Sequence, residues 1–98
     1  MTIPSLDPEL LSAFVTVADQ RSFTRAAALL NRTQSAVSMQ IKRLEERLGV
    51  VLFSRTKANV DLSAAGEGLL GYARRILILN EEAIERIGEH KVEGLVRL

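Results

Sequence analysis

The chain has 98 residues, enough for one domain with a modest core, and its lack of cysteine excludes disulfides, thiolate metal sites and thiol catalysis. The formal net charge of +1 hides an uneven distribution. Between positions 21 and 57, Arg21, Arg25, Arg32, Lys42, Arg43, Arg47, Arg55 and Lys57 are opposed only by Glu45 and Glu46, while both flanking stretches are net acidic. A basic middle is the electrostatic footprint of a polyanion partner, although a solvated face of ordinary Lys and Arg would explain the cluster taken alone.

Asp7-Pro8-Glu9 opens the first helix. Asp7 can accept from a free backbone N–H, Pro8 suits the first helical position, and Glu9 suits the positive end of the dipole. Leu10, Leu11, Phe14, Val15 and Ala18 recur at helical spacing and give a core face running to about Arg21. A second helix starts near Thr24, capped by Ser22 or Thr24, with Arg25 in its first turn pointing outward. It ends at Asn31, a residue tolerant of the left-handed conformation. Its alanines permit a close helix crossing.

The third helix is expected over positions 34–48, with Thr33 as N-cap and Gly49 as the stop. At about 100° per residue, Val37, Ile41, Leu44 and Leu48 form one narrow apolar stripe. Ser35, Ser38, Met39, Lys42, Arg43 and Glu46 lie opposite it, and Gln34 and Ser35 occupy the N-terminal turn. Two short helices joined by Asn31-Arg32-Thr33 have the form of a helix-turn-helix, which places its second helix in the major groove of DNA. Met39 carries two readings. It is a good helix former left exposed, or an apolar contact for a thymine methyl group.

Positions 50–55 and 60–62 lean toward short β-strands around a polar tip that carries Lys57, which makes a wing. Arg55 and Lys57 are its charge donors. Ser63 then caps a long helix expected over 64–88, about 37 Å at the standard rise. It bears two adjoining apolar rows: Leu69, Tyr72, Ile76, Leu79 and Ala83, and Leu70, Ala73, Leu77, Ile84 and Ile87. One row can cover the domain itself. The second row is assigned to a dimer seam comprising Leu70, Ala73, Leu77, Asn80, Ile84 and Ile87, where the Asn80 amide would fix register. The alternative is a single broad row wrapped on the wing and first helix. A dimer is preferred, because helix-turn-helix operators usually have a dyad. The closing Gly94-Leu95-Val96-Arg97-Leu98 reads as the opening of a strand at an interdomain linker.

In fold class the chain is therefore mainly α: a winged helix-turn-helix with a three-helix core and a two-stranded wing, followed by a long linker or dimerisation helix. The expected divisions are 1–62 for DNA binding, 63–88 for the linker helix and 89–98 for the start of a hinge. No stretch is apolar enough to span a bilayer and no secretory signal stands at the N-terminus, so a cytoplasmic protein is expected. Catalysis is not expected. His90, the sole histidine, has no partner constellation, and Glu45-Glu46 reads as a solvated or salt-bridged helix surface. A winged helix used only for pairing with other protein chains is the competing class, and Lys42, Arg43, Arg55 and Lys57 argue against it.

The residues resemble the LysR-type transcriptional regulators, specifically their N-terminal winged helix and linker helix. The resemblance covers nearly the whole chain. It rests on Phe14-Val15-Thr16-Val17-Ala18, Ser22-Phe23-Thr24-Arg25-Ala26-Ala27, Gln34-Ser35-Ala36-Val37-Ser38, Ile41-Lys42-Arg43-Leu44-Glu45, Leu48-Gly49, Leu52-Phe53-Ser54-Arg55 and Leu62-Ser63-Ala64-Ala65-Gly66. It implies sequence-specific binding of a double-stranded operator with dyad symmetry, by a homodimer or, in a full-length protein, a tetramer. It also implies a separate C-terminal domain for a small-molecule effector, with no cofactor in this segment. Gln34, Ser35, Ser38 and Met39 match positions that face bases; Arg55 and the wing match positions that face the backbone. Arg25, Arg32, Thr33, Lys42, Arg43 and Lys57 complete the expected backbone set. Ser35 stands where many members have proline, and Met39 where many have arginine or glutamine, so base preference at those two places is not carried over.

Overall fold

The computed structural model describes residues 5–55 and 60–96, with Arg55 and residues 90–96 described by their backbone. The order is α1 (Pro8–Gln20), α2 (Phe23–Leu30), α3 (Gln34–Leu48), β1 (Phe53–Arg55), β2 (Val60–Leu62) and α4 (Ala64–Val96).

Local chemistry sets the first three boundaries. The Glu9 N–H donates to Asp7 Oδ1 at 2.9 Å, the Arg25 N–H to Ser22 Oγ at 3.1 Å, and the Ala36 N–H to Thr33 Oγ1 at 3.1 Å. Each helix therefore begins with a side-chain oxygen on an otherwise orphaned donor. All three end on a left-handed residue: Arg21 at φ 52°, Asn31 at φ 56° and Gly49 at φ 70°. Arg21 takes that conformation without the freedom of glycine, and its N–H closes the helix on the Val17 carbonyl at 2.8 Å.

The core gathers Leu10, Leu11, Ala13, Phe14 and Val17 of α1, Phe23, Ala26 and Ala27 of α2, and Val37, Ile41 and Leu44 of α3. Leu52, Phe53 and Ala73 complete it. Full burial of side chains such as Leu11 and Ile41 contributes about 1.5–3 kcal/mol each. Ala13 and Val17, which the first-helix reading passes over, are buried, while Val15 and Ala18 pack at the margin. The Phe53 ring lies 5.5 Å from that of Phe14 and 5.9 Å from that of Phe23, which ties the wing to the three-helix core.

β1 and β2 are antiparallel, with Phe53 opposite Leu62, Ser54 opposite Asp61 and Arg55 opposite Val60. The Ser63 hydroxyl accepts from the Gly66 N–H at 3.0 Å and donates to the Val51 carbonyl at 2.6 Å, so the cap of α4 also grips the wing. Arg74 Nη2 and Nη1 donate to the two Asp19 carboxylate oxygens at 2.5 and 3.3 Å, a bidentate pair that clamps α4 to α1.

Two expectations about α4 are corrected. It does not stop at Gly88 or open into a strand at Gly94; it continues as one helix to Val96. An interior glycine costs about 1 kcal/mol relative to alanine, too little to end a helix flanked by good formers such as Glu89 and Lys91. The assignment of its apolar rows is also revised. Ala73 is wholly buried in the domain's own core, and Leu70 and Leu77 pack against that core. The exposed large apolar residues are Tyr72 and Leu79 of the first row, Ile84 and Ile87 of the second, and Ile78, which belongs to neither. Ala73 faces inward because Gly66, two turns earlier on the same face, lets α4 approach the Leu52 carbonyl closely.

Candidate nucleic-acid interface

The α2–turn–α3 unit presents α3 by its N-terminal half. The Thr24 hydroxyl donates to Gln34 Oε1 at 3.2 Å, joining the first turns of the two helices. Thr33 caps α3, so Gln34 and Ser35 fall at its first two positions, beside free backbone N–H groups and the positive end of the dipole. Together with Ser38, Met39, Lys42 and Glu45 they line one open depression of about 600 Å³. The four residues expected to face bases are thus brought onto one surface, with Lys42 beside them.

Glu45 has a further part. Its Oε2 accepts the Leu52 N–H at 2.7 Å, so a carboxylate on the recognition helix fixes the start of the wing. In the sequence Glu45 has the look of surface charge beside Glu46. No periodicity links positions seven apart across a chain reversal, so the role is visible only in three dimensions. Gln40 is likewise a polar residue drawn into the buried side of α3, and Thr24 gains its link to Gln34 through the turn.

The residues expected on the phosphate backbone are more dispersed. Arg25 is exposed in the first turn of α2. Arg32 is exposed in the turn, with its Nη2 3.8 Å from Glu9 Oε2, a solvent-facing pair that restrains the side chain only weakly. Thr33 uses its oxygen as an acceptor for the cap and keeps its O–H as a donor. Lys42 and Arg43 are both exposed, but Arg43 does not line the depression. Arg55 ends β1, and Lys57 lies outside the described residues.

Of the residues assigned to a dimer seam, Ala73 is enclosed by its own domain, and Leu70, Leu77 and Asn80 are half-buried. Ile84 and Ile87 are free, at 64% and 67% exposure. Among the described residues, no group of three or more His, Asp or Glu side chains is arranged to hold a metal ion, and no helix is long and apolar enough to cross a membrane.

A recognition helix held at its N-terminal end by a preceding helix, and at its C-terminal end by a two-stranded wing, defines a winged helix-turn-helix DNA-binding domain. Comparison with known proteins agrees. Residues 8–67 match the family model for bacterial regulatory helix-turn-helix proteins of the lysR family. The HTH-type transcriptional regulator PecT of Dickeya dadantii (strain 3937) is 44% identical over 94 residues, 96% of this chain and 30% of its own length. Among solved structures, the BenM DNA-binding domain complexed with catB site 1 DNA matches with TM-score 0.83 and 30% identity, covering 88% of this chain and 97% of that one. The CbnR DNA-binding domain in complex with DNA matches with TM-score 0.81 and 34% identity, covering 88% and 99%.

The chain belongs to the LysR family of bacterial regulatory helix-turn-helix proteins. It is a DNA-binding regulatory domain of that family. It spans about a third of the length of the curated relatives that it matches.

Proposed function

We propose that this domain directs a LysR-type transcriptional regulator to a double-stranded operator by laying α3 in the major groove. The observation that carries the reading is the shared outward face of Gln34, Ser35, Ser38, Met39 and Lys42, with Glu45 at its far end, on α3. Gln34, Ser35, Ser38 and Met39 face base edges in this reading, whereas Arg25, Arg32, Thr33, Lys42, Arg43, Arg55 and Lys57 hold phosphates and set register. The BenM and CbnR DNA-binding domains, solved in complex with DNA, support it.

The active species in this reading is a homodimer on a site with dyad symmetry, joined through α4. Tyr72, Leu79, Ile84 and Ile87 supply its exposed apolar surface, a more fitting set than one centred on Ala73. In this reading residues 1–62 carry DNA recognition, and α4, unbroken to Val96, is the linker toward an effector domain that binds a small molecule in the cytoplasm. Selection of binding sites from a random duplex library with this chain, followed by fluorescence anisotropy, tests the proposal. One enriched dyad-related sequence is expected. Recovery of the starting library unchanged would refute sequence-specific binding.

A further inference from the structure

Met39 does not fit its surroundings. The other large apolar side chains in the middle of α3, Val37, Ile41 and Leu44, are fully buried, whereas Met39 is 51% exposed. Of the six residues lining the open depression it is the one apolar member, among Gln34, Ser35, Ser38, Lys42 and Glu45. One turn before it stands Ser35, and its immediate neighbour is Ser38, so short side chains flank it. Lys42, one turn after it, supplies a charge for the phosphate backbone or a guanine edge.

Resting on the DNA-binding reading above, we infer that Met39 contacts the C5-methyl group of a pyrimidine in the major groove. Base edges in that groove present hydrogen-bond donors, acceptors and one apolar group, the methyl on C5 of thymine. A methionine can offer no strong hydrogen bond to the first two kinds, and its flexible, polarisable chain packs readily against the third. Half of the Met39 surface is open to water in the free domain, and a methyl group laid on it is removed from water together with that surface. 5-Methylcytosine carries the same group in the same place and satisfies the same contact.

The test uses a duplex selected from a random library by this chain. Each thymine is replaced in turn by uracil, which deletes the methyl group and nothing else. At one thymine in each half-site, the wild-type chain loses about fourfold in affinity, the factor that one buried methyl group supplies. Cytosine and 5-methylcytosine at that position differ by the same factor. Met39→Ala, at an exposed helical site that leaves the core untouched, binds the thymine and uracil duplexes equally. Lys42→Ala weakens both and keeps their ratio. A thymine preference that survives in Met39→Ala, or a wild-type chain indifferent to every thymine methyl, overturns the assignment. Those results leave DNA binding itself standing, whereas a chain that binds no selected duplex refutes the reading beneath it.

Discussion

Replacing Gly66 with alanine is expected to disrupt the joint between recognition helix, wing and linker helix. A Cβ at this position would sit 2.2 Å from the Leu52 carbonyl oxygen and 2.9 Å from Leu62 Cδ2. The carbonyl cannot easily retreat. It accepts the Ser63 N–H at 2.9 Å, while the Leu52 N–H is held by Glu45 at 2.7 Å and the Leu52 side chain is fully buried. Overpacking of this kind costs about 1–3 kcal/mol. Breaking the Ser63 bond adds about 0.5–1.5 kcal/mol. The helical preference of alanine over glycine returns about 0.5–1 kcal/mol. The net expectation is a loss of about 0.5–4 kcal/mol, centred near 2, which corresponds at the centre to a fall of roughly 8–16 °C in Tm for a domain of this size. Urea and thermal denaturation followed by circular dichroism measure it. Gly71→Ala is the control, because that Cβ meets nothing within 4 Å, and it should stabilise by about 0.5–1 kcal/mol. A Gly66→Ala protein as stable as the wild type would show that α4 does not press on Leu52 as described.

Affinity for duplex DNA should fall steeply with salt, by a log–log slope of about −0.9 for each phosphate neutralised, and binding indifferent to salt in an anisotropy titration would refute the electrostatic assignment. Arg55→Ala should weaken all sequences by a similar factor, whereas Gln34→Ala should cost about 1–3 kcal/mol at one base pair and relax selectivity there; competition with single-base variants separates the two. Ile84→Glu places a carboxylate on an exposed apolar position and should give a folded monomer in analytical ultracentrifugation. Leu77→Glu should instead lower stability, because Leu77 packs against its own core.

The helix-turn-helix was legible because its determinants are local. Asp7, Ser22 and Thr33 each cap a helix within three residues of the N–H that they accept, and Asn31 and Gly49 end helices by their own backbone preference. Val37, Ile41 and Leu44 announced their burial through helical spacing alone. Gln34, Ser35, Ser38 and Met39 could be grouped for the same reason, since one helix carries them all. The joints between elements were not legible. The Glu45–Leu52 bond, the Thr24–Gln34 link and the Asp19–Arg74 pair each depend on how separate segments meet. The inward face of α4 is of that kind too. Its two apolar rows adjoin, so a modest rotation decides between them, and that rotation is set by the contact of Gly66 with Leu52.

Whether the outer face of α3 enters the DNA can be read from backbone and methyl NMR of the labelled chain. On titration with a selected duplex, the largest shifts should map to Gln34, Ser35, Ser38, Met39 and Lys42, including the Gln34 side-chain amide and the Met39 methyl group, with smaller shifts at Arg25 and Thr33. Shifts centred on the exposed apolar residues of α4, with α3 unmoved, would contradict it.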